Sequence, residues 1–209
     1  MNISRALKTI GLTVIIIVVS SAYVRAFSIP FPSMSPTFLI GDVIFSNHAA
    51  YDLRLPYMDA VIIKTGEPQN GDVIIYFDIP KNVIATKRII AIPGDRVRME
   101  NNMLFINGTE VTQHPIPQTL FDEVPPEHGL GQLVVTEKLG RSEYVITYTP
   151  NKSPVHSFQE VTAPEGKYFI LGDHRDNSAD SRYIGFISRE QIKGRVIKGA
   201  RTPNSYAKL

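Results

Sequence analysis

The chain has 209 residues, 43% hydrophobic and 20% charged, a balance that excludes a disordered or fibrous polymer and suits one domain or a domain with an insertion. Its net charge of +2 is uneven: residues 1–95 hold 8 basic and 7 acidic side chains, 96–165 hold 5 and 9, and 166–209 hold 9 and 4. Aspartates sit inside the basic final segment, so it is no phosphate-tracking stripe and nucleic acid is excluded as a partner, while the absence of cysteine removes disulfides, thiolate metal sites and cysteine nucleophiles without ruling out export.

Between Lys8 and Arg25 lies an uncharged stretch, Thr9 to Val24, with the run Val14-Ile-Ile-Ile-Val-Val19 at its centre. As a helix it rises about 24 Å, short of a ~30 Å hydrocarbon core. Lys8 and Arg25 can snorkel, and Phe27, Ile29 and Phe31 can sit in the far interface. A cleaved signal peptide fits the same residues, with Arg5 and Lys8 as basic start and Ser20-Ser21-Ala22 as cleavage site. Either way Arg5 and Lys8 stay inside and the remainder faces away from the cytoplasm.

Past residue 30 the chain reads as strands and turns. Val43–Phe45, Val61–Ile63, Val73–Phe77 and Val83–Ile92 are short runs rich in β-branched and aromatic residues. Gly-Asp recurs at 41–42, 71–72, 94–95 and 172–173 as turn punctuation. Met103 to Val111 is a hairpin signal, with Asn107-Gly108 supplying two positive-φ positions. Residues 113–128, rich in proline, read as loop inside the acidic segment 96–165.

Three elements bear on chemistry. The five histidines (48, 114, 128, 156 and 174) show no metal-ligand spacing, and neither Gly-x-Ser-x-Gly nor Ser-x-x-Lys is present. Ser33 lies between prolines in Pro30-Phe-Pro-Ser-Met-Ser-Pro-Thr37, on extended rather than helical backbone; alone, this is also what a linker looks like. Lys87, with a strand period of two, shares a face with Val83, Ala85, Ile89 and Ala91. Desolvation there lowers an amine's pKa toward neutrality and makes it a general base, unless the lysine sits on an edge and reaches solvent. Gly172 to Phe186 packs three Asp, two Arg, two Ser and an Asn between apolar runs, the composition of a buried, mutually satisfied network.

Together, and in this order, these elements resemble bacterial type I signal peptidase, the Ser-Lys protease of the cell envelope. Ser-Met-x-Pro-Thr at 33–37, the run at 71–77, Lys-Arg-Ile-Ile-Ala-Ile-Pro-Gly-Asp at 87–95 and Gly172 to Phe186 look like its four boxes. The resemblance covers 1–95 and 166–200. It implies a mostly β protein: a single N-terminal transmembrane helix followed by an antiparallel β-sheet catalytic domain with an inserted subdomain. The corresponding divisions are an anchor (1–26), a first core part (27–97), the insertion (98–165), a second core part (166–200) and a polar tail (201–209).

By the same resemblance Ser33 is the nucleophile, its backbone N–H an oxyanion donor, Lys87 the general base and Ser178 the serine that orients the lysine. Asp173, Arg175, Asp180 and Arg182 form a supporting ion-pair network. Ile29, Pro30, Phe31, Met34 and Thr86 line a substrate groove. The implied partners are preproteins with small residues at −1 and −3 and membrane lipid, with no cofactor or metal. The implied location is the bacterial inner membrane, single-pass and uncleaved, with the N-terminus cytoplasmic and the catalytic domain outside. Phe31 stands where many members carry Ser or Gly and cannot donate to an oxyanion; His174 replaces the usual Asn. Two other readings are a relative dedicated to a conjugation or pilus system and a catalytically silent scaffold that binds signal peptides.

Overall fold

The computed structural model describes residues 9–11, 13, 23–55, 60–116, 132–148 and 155–200. No helix among them is long and apolar enough to cross a membrane. Most of the expected anchor, most of the 113–128 loop and the whole tail lie outside the described residues.

In chain order the first strands are β1 (Val24–Ser28), β2 (Val43–Asn47), β3 (Asp52–Arg54), β4 (Val61–Lys64), β5 (Val73–Asp78) and β6 (Val83–Ala91). Next come β7 (Arg96–Glu100), β8 (Met103–Ile106), β9 (Thr109–Glu110), β10 (Thr112–Pro115), β11 (Leu133–Leu139), β12 (Ser142–Tyr148) and β13 (Phe158–Thr162). The chain closes with β14 (Lys167–Leu171), the one-turn helix α1 (Ser181–Ile184), β15 (Ile187–Ser188) and β16 (Ile192–Ala200).

A seven-stranded antiparallel sheet of order β1-β2-β16-β5-β6-β14-β15 carries the chemistry-bearing residues. Alternation sorts its side chains by face: Ile74, Tyr76, Ile89, Ile170 and Ile192 pack together, whereas Ile75 meets Ile29 and Ile44. Smaller sheets, β13-β7-β8-β9 and β10-β11-β12, cover the far end. There Met99, Leu104, Val135, Tyr144 and Ile146 pack on Phe169 and Leu171.

Three of the Gly-Asp pairs build the same turn. Gly41, Gly71 and Gly94 have φ of 90, 89 and 88°, a conformation that glycine adopts without penalty. In each, the following aspartate accepts from the backbone N–H three residues earlier: Leu39, Gln69 and Ile92, at 2.9, 3.0 and 3.1 Å. Gly172 is glycine for another reason: a Cβ there would come within 2.3 Å of Ser178 Oγ and 2.4 Å of the Ser33 carbonyl.

Two local expectations are corrected. Val24, Arg25 and Ala26, read as part of the anchor, begin β1, because they pair with Asn47, Ser46 and Phe45 of β2. Gln113, His114 and Pro115, read as loop, belong to β10, which pairs with Val135–Lys138; proline is tolerated because β10 is an edge strand.

Arg175 ties the last part of the chain to β11. Its Nη1 donates to Glu137 Oε1 at 2.7 Å, and both side chains are fully buried. Removing one partner strands a buried charge, so Glu137→Ala should cost about 3–5 kcal/mol. Pairing it with Arg175→Met should recover much of that loss, as read from urea unfolding in detergent.

Candidate active site

Ser33 occupies a 3-10 turn, Pro32–Met34, entered from extended Phe31 and closed by Ser35 N–H donating to the Pro32 carbonyl at 2.9 Å. Pro32 fixes φ at the first helical position, where a missing N–H costs nothing. The Ser33 carbonyl accepts from the His174 backbone N–H at 3.1 Å. That contact comes from the main chain, so it does not depend on whether His or Asn stands at 174. The His174 ring instead meets the Gln132 side chain, Nε2 to Nε2, at 3.1 Å.

Lys87 projects from the middle of β6 beside Ile74 of β5, on the face that Tyr76, Ala85 and Ile89 share. Its residue is 4% exposed. Nζ lies 2.7 Å from Ser33 Oγ and 3.0 Å from the Thr86 carbonyl. Both partners are neutral, so neither holds the proton on the amine. Burial is the largest influence and lowers its pKa from 10.5 to about 8; Asp180 opposes that shift and Lys81 adds to it. At pH 7 a shift of that size makes the neutral amine about 300-fold more abundant. The amine thus sits within hydrogen-bond reach of the hydroxyl and is easier to deprotonate than an exposed lysine's.

Of the four predicted network residues, Asp180 and Arg182 meet each other, whereas Asp173 and Arg175 take partners that the sequence reading did not name. Asp173 is held by Arg88, Nε to Oδ1 at 2.8 Å and Nη2 to Oδ2 at 2.6 Å, while Arg88 Nη1 donates to the Gly71 carbonyl. Thr37 donates its hydroxyl to the same Asp173, and the Arg88 guanidinium lies 3.8 Å over the Tyr144 ring. Asp180 binds Arg182, Nε to Oδ1 at 2.8 Å, and receives the Gly172 N–H at 3.0 Å. Arg175 turns to Glu137. Two signals in the sequence could have exposed these partners: Arg88 is the out-of-face neighbour of Lys87, and Glu137 interrupts the apolar pattern Leu-Val-Val-Thr-Glu-Lys-Leu.

Ser178 is buried beside Gly172 and Ser33, yet its Oγ has no hydrogen-bond partner among the described residues. A groove of about 410 Å³ runs past Ser33 and Lys87, lined among others by Ile29, Pro30, Phe31, Met34, Thr86, Asp78 and Lys81. Phe31 is 67% exposed along it. Among the described residues no three His, Asp or Glu are grouped to hold a metal ion.

A buried lysine amine on a serine hydroxyl, at the wall of an apolar groove in a β-sheet protein, is an arrangement suited to nucleophilic acyl transfer. Residues 3–198 match the family model described as signal peptidase, peptidase S26, and the chain belongs to that family. The signal peptidase I of Pseudomonas aeruginosa is 39% identical over 171 residues, 81% of this chain and 58% of that protein. The signal peptidase I of Pseudomonas fluorescens is 36% identical over 194 residues, 87% and 66% of the two chains. The signal peptidase IB of Staphylococcus aureus is 30% identical over 183 residues, 88% and 81%. The chain thus spans less than two thirds of the length of either Pseudomonas relative.

Burying Lys87 has a stability consequence with a definite sign. Its folded pKa lies below its unfolded one, so below pH 8 the native state must carry a desolvated charge, and that cost fades as pH rises toward 10.5. Lys87→Met should stabilise the fold at pH 7 by up to about 3 kcal/mol, with the advantage shrinking as pH rises from about 8 to 10.5. Thermal unfolding in detergent across that range checks it.

Proposed function

We propose that the chain is a membrane-anchored serine endopeptidase that removes N-terminal signal peptides from exported preproteins. The observation that carries this reading is the 2.7 Å contact between Lys87 Nζ and Ser33 Oγ; membership of the signal peptidase family supports the substrate class. The uncharged stretch that begins at Thr9 and ends before β1 holds the chain on the membrane, N-terminus inside, with the catalytic domain outside.

In the proposed reaction neutral Lys87 takes the Ser33 proton as Oγ attacks the scissile carbonyl. The tetrahedral oxyanion is met by the Ser33 backbone N–H. As the C–N bond breaks, the Lys87 ammonium returns its proton to the leaving amine, which is the new N-terminus of the mature protein. Lys87, neutral again, deprotonates a water that attacks the acyl-enzyme; as the acyl C–Oγ bond breaks, the Lys87 ammonium returns the proton to Ser33 Oγ. Arg88, Asp173, Asp180 and Arg182 hold the segments that bear the dyad, and the closeness of Ser178 to the Ser33 backbone suits an orienting role once substrate fills the groove. The groove, walled by Ile29, Phe31 and Met34, suits small residues at −1 and −3.

The purified chain should cleave a preprotein bearing Ala at −1 and −3, read by gel shift and N-terminal sequencing of the product. Ser33→Ala and Lys87→Ala should each abolish cleavage with the fold intact, because the two act as a unit. Lys87→Arg should fail too, since a guanidinium keeps its proton. Near-native activity in any of the three sinks the mechanism. The acidic limb of the rate profile should rise through about pH 8 as the amine loses its proton.

Phe31 gives a separate test. If a missing oxyanion donor limits the rate, Phe31→Ser should speed cleavage by up to about 10²-fold with unchanged preference. If Phe31 instead walls the groove, Phe31→Ser should broaden acceptance at −1 or −3. Peptide-library rates distinguish the two, and no change in either measurement removes both accounts.

A further inference from the structure

The groove past Ser33 and Lys87 is apolar along most of its wall, and among the described residues that line it only Asp78, Lys81 and Lys87 carry charged side chains. Lys87 is buried and engaged with Ser33 and the Thr86 carbonyl. The other two belong to the hairpin that joins β5 to β6. Asp78 pairs with Val83 in the last rung of that hairpin, and Lys81 sits in the turn between them. Asn82, at φ of 55°, closes the turn by donating its N–H to the Ile79 carbonyl at 3.2 Å, and Pro80 stiffens it.

The two charges of this turn are unequally placed. The Asp78 side chain is 3% exposed and that of Lys81 51%. Asp78 Oδ1 accepts the Lys81 backbone N–H at 3.4 Å, and Oδ2 lies 3.8 Å from Nζ. The carboxylate thus keeps the ammonium beside the groove by charge, at a separation too long for a hydrogen bond. That leaves the ammonium's donors to a group arriving from solvent. Whatever enters the groove at the turn meets a cation, with its counter-charge buried behind it.

Strand geometry sets how far that cation lies from the chemistry. β14 pairs with β6 only from Arg88 onward, so from Val83 to Lys87 the one described partner of β6 is β5, and the groove runs along this stretch. An extended peptide laid there advances about 3.3 Å per residue, as β6 itself does. The four positions from Lys87 back to Val83 therefore match about four substrate residues, and the turn lies one or two further on. The apolar walls suit the signal-peptide side of the scissile bond. We propose that Lys81, held by Asp78, is a specificity-determining residue that favours an acidic side chain about four to six residues before the scissile bond and rejects a basic one. The proposal rests on the reading that the chain removes signal peptides. An exposed ion pair is weak, so its effect is discrimination between substrates rather than affinity for all of them.

The full chain in detergent is given preproteins that carry Glu, Gln or Lys at −4, −5 or −6, and kcat/KM is compared within each position. The Lys81 charge also helps to lower the Lys87 pKa, so altering it moves the rate on every substrate. The ratio between two substrates on one enzyme cancels that common change and is the readout. Glu should exceed Lys by about three- to tenfold at one or more of these positions, with Gln between them and the ratio shrinking as salt is raised. Lys81→Glu should invert the order and Lys81→Gln should flatten it; if Lys81→Glu is inactive, the flattening decides alone. An order unchanged by these substitutions overturns the proposal, as does a Glu-to-Lys ratio near one at all three positions in the unsubstituted chain. A chain that cleaves all of these preproteins alike loses only the Lys81 subsite, whereas a chain that cleaves none of them loses the peptidase reading together with it.

Discussion

Ser33 and Lys87 lie 54 positions apart, and the arrangement that brings them together is organised around the buried pair of Arg88 and Asp173. Arg88 follows Lys87 on β6 and points to the opposite face, where it grips both Asp173 oxygens. Asp173 precedes His174, whose N–H holds the Ser33 carbonyl, and it accepts the hydroxyl of Thr37, four residues past Ser33. One carboxylate thus touches the strand that bears Lys87, the loop that bears Ser33 and the polar block after β14. A buried ion pair contributes little net stability once its desolvation is counted. Its value here is geometric, because two charges that must satisfy each other admit few alternative packings.

The same block bears on the protonation of the lysine by what it withholds. Asp180 is the strongest acidic influence on Lys87, yet its oxygens are taken by Arg182 and the Gly172 N–H. Lys87 is left with a hydroxyl and a carbonyl as partners. A carboxylate bonded directly to the amine would stabilise the ammonium and raise its pKa; one kept a step away lets desolvation prevail. The fold tolerates a costly buried amine because Ile74, Ile89 and their neighbours already secure the sheet around it.

Much of this is readable in the chain itself. The alternation Val83, Ala85, Lys87, Ile89 assigns the lysine to an apolar face, and the Asn107-Gly108 turn appears with φ of 53 and 82°. The density of charge between Leu171 and Ile184 marks a buried network. The pairings within that network are not readable. Asp173 has arginines two and nine residues away in sequence but bonds to one 85 positions distant, and Arg175 chooses a glutamate 38 positions back. The strand β10 is hidden for a similar reason: a proline-rich segment becomes a strand because β11 offers it an edge.

The sequence by itself determined the residue types, the face on which each one sits and the turns between strands, because these follow from local sterics and a period of two. Only the tertiary structure decided that Lys87 meets a hydroxyl rather than solvent or a carboxylate, and that Arg88 rather than Arg175 closes on Asp173. Contacts between distant segments depend on how three-dimensional packing excludes water from particular charges, and no spacing along the chain encodes that exclusion.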